Sequence, residues 1–124
     1  MSEDLNTFAQ RYLRGPGRGD EERQSAVALA ERLRLPFDDL SDFRGEPELF
    51  RQIPVELMLR YQFVPLERQG DVVVVVMADP SDISALDELE LAIGAPIEVR
   101  VGLPARISEI LEKSDSTQRV LETL

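Results

Sequence analysis

The chain contains no cysteine and no histidine in its 124 residues. Without cysteine there are no disulfides and no thiolate nucleophiles, and without histidine there is no imidazole base and no usual zinc ligand set. Carboxylates alone can act as acid and base, but no pair of them can be assigned to such roles. No apolar run approaches 18 residues, and the N-terminus lacks a basic segment followed by an apolar one, so neither a membrane span nor an export signal is expected. These absences remove most enzyme chemistry and predict a cytoplasmic location.

Basic residues are few, and they are scattered along the chain. There are 14 basic against 24 acidic side chains, which gives a net charge of -10, and the basic residues never form a run of five. Such a charge repels phosphate backbones and anionic lipid surfaces. We therefore expect no nucleic-acid partner and no direct membrane insertion. The 43% hydrophobic and 31% charged content is typical of one globular domain of 14.0 kDa.

The run from Val72 to Val76 is the strongest secondary-structure signal. It is β-branched throughout, and a Gly70-Asp71 turn signal precedes it. Its length and composition predict a strand, and the lack of alternation predicts that both faces are covered. We expect this strand to lie at the centre of the sheet.

Two further strands are predicted around this run. Residues 62–67 include Pro65, which cannot donate a ladder hydrogen bond, so they predict an edge strand that a turn over 68–71 joins to the valine run. Residues 96–101 predict a third strand with Ile97, Val99 and Val101 facing inward and Glu98 and Arg100 facing outward.

A helix is expected between the second and third strands. Asp79 is predicted to cap it, Pro80 to occupy its first position, and Gly94 to end it. Its core face is predicted to consist of Ile83, Leu86, Leu89 and Ile93. The fold class is thus α/β (α+β): a small three-stranded mixed sheet, made of an antiparallel hairpin and a right-handed β-α-β crossover, packed with helices and preceded by a helical N-terminal region.

Other helices are predicted on both sides of the sheet segments. Proline or glycine marks the ends of most of them. A helix from about Asp20, as N-cap, to Arg34 is expected to bury Ala26, Val27, Ala30 and Leu33. Two short helices, near 47–52 and 54–60, are each expected to have a proline at the first helical position, and a last helix from Pro104 to about Lys113 is expected to bury Ile107, Ile110 and Leu111. An acidic loop from Phe37 to Pro47 is expected to be anchored by Phe37, Leu40 and Phe43.

The first residues predict a separate amphipathic helix. The apolar side chains of this segment share one face at helical spacing, and they are the candidate partner-binding residues: Leu5, Phe8, Tyr12 and Leu13. The alternative is that this face packs on its own domain or frays. The segment Gly15–Gly19 contains three glycines and a proline and predicts a linker. The division is therefore 1–19 as a flexible arm and linker, 20–113 as the α/β domain, and 114–124 as a linker or helix toward a further domain.

Several runs, taken in order and with their spacing, form a specific combination. They are residues 29–40, residues 53–57 with Arg60-Tyr61, residues 64–67, residues 77–82 and the closing residues 114–121. Together they resemble the N-terminal domain of bacterial traffic ATPases, the motors of type II secretion and type IV pilus assembly, over roughly residues 20 to 124. The proline-containing hairpin and the serine-rich C-terminal segment favour the secretion branch of this family.

The sequence departs from full-length members of that family in one decisive motif. It contains no P-loop of the form G-x-x-x-x-G-K-[ST], so this chain is not expected to hydrolyse ATP. ATP and magnesium belong to the ATPase domain of a full-length parent, and no cofactor or metal is expected in this chain. The resemblance implies a regulatory docking module whose partners are the cytoplasmic domain of an inner-membrane assembly protein and the ATPase domain of its own parent. Its location would be peripheral to the inner membrane through that partner.

The alternative function is a cyclic di-GMP sensor, because some relatives carry that site in this region. Here the matching positions differ: Arg32 stands where glutamine is usual, Arg34 where glycine is usual, and Gly19-Asp20 where branched residues are usual. The site therefore resembles a degenerate version.

Three clusters of charged residues have both a functional and a structural interpretation. The acidic group at 79–90 either steers a basic partner or is a solvated face. Asp38, Asp39 and Asp42 suggest a hard cation, but the spacing lacks the glycine and distal glutamate of a calcium loop. Glu98 and Arg100 either flank a strand-addition site or protect an exposed edge, and we favour protection.

Overall fold

A strand of consecutive valines lies at the centre of the fold. The computed structural model describes the backbone of residues 16–123 and the side chains of residues 20–114. Strand β2 (Val72–Met77) lies between β1 (Phe63–Gln69) and β3 (Ile97–Val101). Residues Val73 to Val76 have no exposed surface, and full burial of a valine stabilises a fold by about 1.5 to 3 kcal/mol. The predicted central position and two-sided burial of this strand are confirmed.

Five helices accompany the sheet in the described part of the chain. Two precede the hairpin closely, one connects β2 to β3, and one lies at each end. They are α1 (Pro16–Leu33), α2 (Pro47–Gln52), α3 (Val55–Tyr61), α4 (Ile83–Ile93) and α5 (Pro104–Thr123).

Strands β1 and β2 form the predicted antiparallel hairpin. Phe63 lies opposite Met77 and Gln69 opposite Val72. The turn places Gly70 at a φ of 62°, a left-handed conformation that glycine adopts at little cost. The register shifts between Pro65 and Glu67, which marks a bulge in β1. Strand β1 lies at an edge of the sheet, as the presence of Pro65 predicted.

Strand β3 pairs with β2 in parallel, as the strand–helix–strand pattern predicted. Val73 lies beside Ile97 and Met77 beside Val101. The outer edge of β3 meets the segment that follows α1, because the N–H of Val101 donates to Pro36 O at 2.8 Å and the N–H of Asp38 donates to Val101 O at 2.9 Å. An isolated parallel bridge from Phe37 thus extends the sheet by one residue.

Three predictions about α4 are wrong. The helix begins at Ile83, and its N-cap is Asp82 and not Asp79, because residues 79–81 turn before the helix starts. Pro80 therefore lies in this turn and not at the first helical position. Ile83 is not on the core face; its side chain is 73% exposed. Successive helical residues are rotated by about 100°, which places Ile83 about 90° away from the direction that Leu86, Leu89 and Ile93 share. Gly94 ends the helix at a φ of 80°, as predicted.

Helices α2, α3 and α5 close one large core around the sheet. Helices α2 and α3 lie where the sequence predicts them, although Pro54 is the N-cap of α3 and not its first helical residue. Helix α5 buries Ile107, Ile110 and Leu111, as predicted. Its predicted end near Lys113 is wrong: the helix continues to Thr123, since residues 114–123 contain neither proline nor glycine.

Helix α1 packs on β3 through a second, smaller cluster. Ala26 and Ala30 are buried with Val101, as predicted, and Phe37 and Leu103 border them. Val27 and Leu33, which were predicted to be buried as well, are only half-buried. The predicted start at Asp20 is wrong, because the helix begins at Pro16 and continues through Gly19. Proline suits a first helical position since it has no N–H to leave unpaired. The predicted break over Gly15–Gly19 is therefore absent at residues 16–19.

Candidate functional site

The loop after β2 occupies the place where many α/β domains bind a phosphate. It contains no glycine and has two carboxylates instead. Asp82 Oδ1 accepts the N–H groups of Ser84 at 3.0 Å and Ala85 at 3.3 Å, and Asp79 Oδ1 accepts that of Ser81 at 3.1 Å. The N–H groups that would hold a phosphate at the start of α4 are thus already used, so this loop is built to cap a helix and disfavours an anion.

Two acids of α4 connect this helix to the rest of the domain. Glu88 Oε2 accepts the hydroxyl of Tyr61, on α3, at 2.6 Å, and Glu90 Oε2 accepts the backbone N–H of Ile97, at the start of β3, at 3.0 Å. The hydrogen bond to Glu88, together with desolvation and the negative charge of Glu88, raises the pKa of Tyr61 above its ordinary value of 10.0. Part of the predicted acidic face is therefore structural.

The outward side of α4 carries the two most exposed large apolar side chains in the described part of the chain. Ile83 is 73% exposed and Leu91 is 84% exposed, and Asp87 lies between them at four-residue spacing. We call Ile83, Asp87 and Leu91 the α4 outer face. A shallow, mainly apolar depression adjoins it and is lined by Asp87, Glu90, Leu91, Gly94, Ala95 and Pro96.

The aspartates of the loop after α1 are engaged by the protein itself. Asp38 accepts the N–H of Leu40 at 2.9 Å and pairs with Arg100 at 3.2 Å. Asp39 accepts the N–H of Ser41 at 2.9 Å and pairs with Arg23 at 3.4 Å. Hydrogen bonds from the backbone and side chain of Ser41 lower the pKa of Asp39 below its ordinary value of 3.8, and Arg23 adds to the effect. Within the described ranges no cluster of three acidic, histidine or cysteine residues is arranged to hold a metal ion.

The edge of β3 is occupied at both ends by groups from elsewhere in the domain. Glu90 takes the N–H of Ile97, and the segment 36–38 pairs with Val101. Arg100, which was predicted to face outward, is half-buried against Asp38. The contacts are those of a protected edge.

The predicted partner-binding residues Leu5, Phe8, Tyr12 and Leu13 lie outside the described residues. Sequence reasoning missed three features that the structure brings together: the Tyr61–Glu88 hydrogen bond, the exposed Leu91, and the cap that Glu22 of α1 gives to α5 by accepting the N–H of Ala105 at 2.8 Å. Only the exposure of Leu91 had a signal in the sequence, because this leucine lies outside the apolar stripe of its helix. None of the helices within residues 16–123 has the length and apolar content that a membrane crossing requires.

The chain matches the family model of the MshEN domain over residues 33–121. Two curated relatives are type IV pilus assembly ATPases named PilB. The one from Myxococcus xanthus is 33% identical over 93 residues, which cover 75% of this chain and 16% of the relative. The one from Thermus thermophilus is 32% identical over 93 residues, which cover 71% of this chain and 10% of the relative. The chain therefore spans only a small part of the length of these relatives.

Solved structures share the fold. The N-terminal domain of XpsE has a TM-score of 0.63 and 28% identity, and the match covers 73% of this chain and 64% of that one. A structure of MshE with cdg has a TM-score of 0.67 and 22% identity, and the match covers 74% of this chain and 67% of that one. The chain belongs to the MshEN domain family and is homologous to the N-terminal regions of pilus and secretion ATPases.

Proposed function

We propose that this domain is a non-catalytic docking module of a pilus or secretion motor, and that it binds the cytoplasmic domain of an inner-membrane assembly protein. The observation that carries the proposal is the similarity to the N-terminal region of pilus assembly ATPases in a chain without a P-loop. An N-terminal region that lacks the catalytic motif contributes to such a motor through its surfaces. A second partner in this proposal is the ATPase domain of the parent motor, which holds ATP and magnesium.

The architecture supports a binding role over a catalytic one. The core is closed by apolar side chains, and no buried polar or charged residue lies within it in the described part. The loop after β2 has its helix N–H groups taken by Asp82. What the domain offers to other molecules is therefore its exterior, and recruitment by a membrane protein would place it at the cytoplasmic side of the inner membrane.

A titration tests the proposal directly. The full 124-residue chain is titrated by calorimetry with the purified cytoplasmic domains of the inner-membrane pilus and secretion assembly proteins from the same genome. We expect saturable one-to-one binding to one of them and none to the cytoplasmic domain of an unrelated inner-membrane protein. Absence of binding to every assembly protein would contradict the docking role.

A second candidate is cyclic di-GMP sensing, which the MshE structure with cdg suggests for this fold. The residues at the matching positions argue against it. Arg32 is exposed in the last turn of α1, Arg34 follows that helix, and Gly19-Asp20 lie within it. Calorimetry with micromolar cyclic di-GMP decides the matter, since an absence of both heat and a Tm shift eliminates this function.

A further inference from the structure

The α4 outer face has two exposed apolar side chains that lie on the same side of one helix. Isolated exposed apolar side chains are common and need no explanation. Here Ile83 and Leu91 are the two most exposed large apolar residues in the described part of the chain, and they lie on one stripe of one helix. The rise of about 1.5 Å per residue separates them by roughly 12 Å along the axis. The depression beside Leu91 continues the apolar surface toward Pro96.

The part of the chain that contains this apolar stripe carries charge of one sign. Residues 72–99 contain six acidic side chains and no basic one. Two of them, Glu88 and Glu90, accept hydrogen bonds from Tyr61 and Ile97. Asp87 takes part in none of the ion pairs found among the described residues, and it lies exposed in the middle of the outer face. Its charge is available to a partner.

The charge decides between possible occupants. A second copy that packed by two-fold symmetry would bring acidic helix faces together, which costs binding energy. An anionic lipid surface is repelled for the same reason. A partner with arginine or lysine around its apolar residues gains from both features, because its apolar side chains cover Ile83 and Leu91 while its cations approach Asp87.

We infer that the α4 outer face is the docking surface for a basic amphipathic segment of the partner protein, with two apolar anchors about 12 Å apart. The inference rests on the proposed function for the identity of the partner, and on the exposure and charge of α4 for the place. The side chains of Asp87 and Leu91 are exposed and lie outside the core, so both residues can be substituted without disturbing the fold.

The first experiment uses the inner-membrane assembly domain that binds the wild-type chain. Asp87→Lys and Leu91→Ala are each expected to weaken that binding at least tenfold. The matched controls are Glu56→Lys and Leu59→Ala on α3, where Leu59 is 41% exposed and Glu56 is exposed, and both are expected to bind as wild type. If the domain binds and the α4 variants bind as tightly as wild type, the inference is wrong and the docking function stands.

The second experiment does not depend on that partner. A synthetic 18-residue helical peptide of leucine and lysine is titrated into the labelled full chain, and amide shifts are followed by NMR; a peptide with glutamate in place of lysine is the control. We expect shifts confined to 83–96 with the basic peptide, none with the acidic one, and loss of the shifts in Asp87→Lys. Shifts elsewhere, or none, overturn the inference. Tighter peptide binding after deletion of residues 1–15 would assign the face to the chain's own N-terminal segment and overturn it as well. If the peptide binds α4 while no assembly protein binds the chain, the surface is supported and the proposed partner is wrong.

Discussion

The hydroxyl of Tyr61 donates a 2.6 Å hydrogen bond to the carboxylate of Glu88 and so joins α3 to α4 across 27 residues of sequence. The bond lies at the surface and connects the helix that precedes the hairpin to the helix that follows it. A neutral phenol is the donor, so the contact exists only while Tyr61 keeps its proton. Its strength is therefore linked to pH.

We predict that Tyr61 ionises above pH 10 in the folded protein. The hydrogen bond and the charge of Glu88 favour the protonated phenol, which raises its pKa. A group whose pKa is higher in the folded than in the unfolded state stabilises the fold fully below the unfolded pKa, here 10.0, and this contribution is lost as pH rises through the folded pKa. Ultraviolet titration in a Tyr12→Phe background, which leaves Tyr61 as the single tyrosine, measures the pKa.

Glu88→Ala is the matched variant for this titration. It removes the acceptor and the charge together, so the pKa of Tyr61 is expected to fall toward 10.0. In the wild-type protein the free energy of unfolding should fall as the pH rises above 10 and Tyr61 ionises. In Tyr61→Phe this part of the pH dependence should be absent. An identical Tyr61 titration in the wild-type and Glu88→Ala backgrounds would contradict the role of this pair.

At the end of α1, substitution of an arginine by glycine is expected to stabilise the protein at one position and to destabilise it at another. The N–H of Leu35 donates to Ala30 O at 2.9 Å and the N–H of Arg34 donates to Glu31 O at 3.2 Å, the hydrogen bonds of a Schellman motif. Arg34 occupies its left-handed position at a φ of 58°, where glycine is favoured. Arg34→Gly should raise the free energy of unfolding by about 0.5 to 1 kcal/mol, because it relieves the cost of that conformation.

Arg32→Gly is the control for that prediction. Arg32 lies inside the last turn of α1, where glycine is less favourable than arginine by about 0.5 to 1 kcal/mol. Urea denaturation followed by circular dichroism should therefore show a higher midpoint for Arg34→Gly and a lower one for Arg32→Gly. Equal shifts in one direction would show that the backbone conformation of Arg34 is not the cause.

The two aspartates before α4 are expected to differ in their contribution to stability. Asp82 accepts two N–H groups at the start of the helix, whereas Asp79 accepts one within a turn. Asp82→Ala should lower the free energy of unfolding by about 1 kcal/mol, in the range of other N-cap removals. Asp79→Ala is expected to have a smaller effect, and a larger loss from Asp79→Ala in thermal denaturation would reverse the assignment of the cap.

Local sequence predicted the elements whose signals are local. A strand of five consecutive valines is stable only where both of its faces are covered, and Pro65 is tolerated only in an edge strand. The central position of β2 and the edge position of β1 could therefore be predicted from the sequence. The cap of α4 was not determined in this way. Asp79 and Asp82 are both good caps, and the choice depends on how many residues the chain uses to turn after β2.

Contacts between distant segments had no sequence signal of their own. Glu88 resembles any exposed acid until α3 brings Tyr61 beside it, and Glu22 resembles a solvated residue until α5 begins next to α1. The outer face of α4 was hidden for a related reason, since Ile83 fits an apolar spacing and only the rotation of the helix places it outside the core. The sequence therefore predicted the core better than the exposed face of α4 that we infer to be a docking surface.

Gly102 supplies the most specific test of the packing around β2. It follows β3 and donates its N–H to Met77 O at 2.8 Å, which holds its backbone against the end of the central strand. A Cβ at this position would lie 2.5 Å from Val76 Cγ1 and 3.3 Å from Ile107 Cδ1. Gly102→Ala should therefore lower the free energy of unfolding by about 1 to 3 kcal/mol through overpacking.

Val76→Ala alone is also destabilising, because it leaves a cavity at a fully buried position. In the double variant the new methyl occupies part of that cavity, so its loss of stability in urea denaturation should be clearly smaller than the sum of the two single losses. Additive losses would mean that Val76 and Gly102 are not in the close contact described.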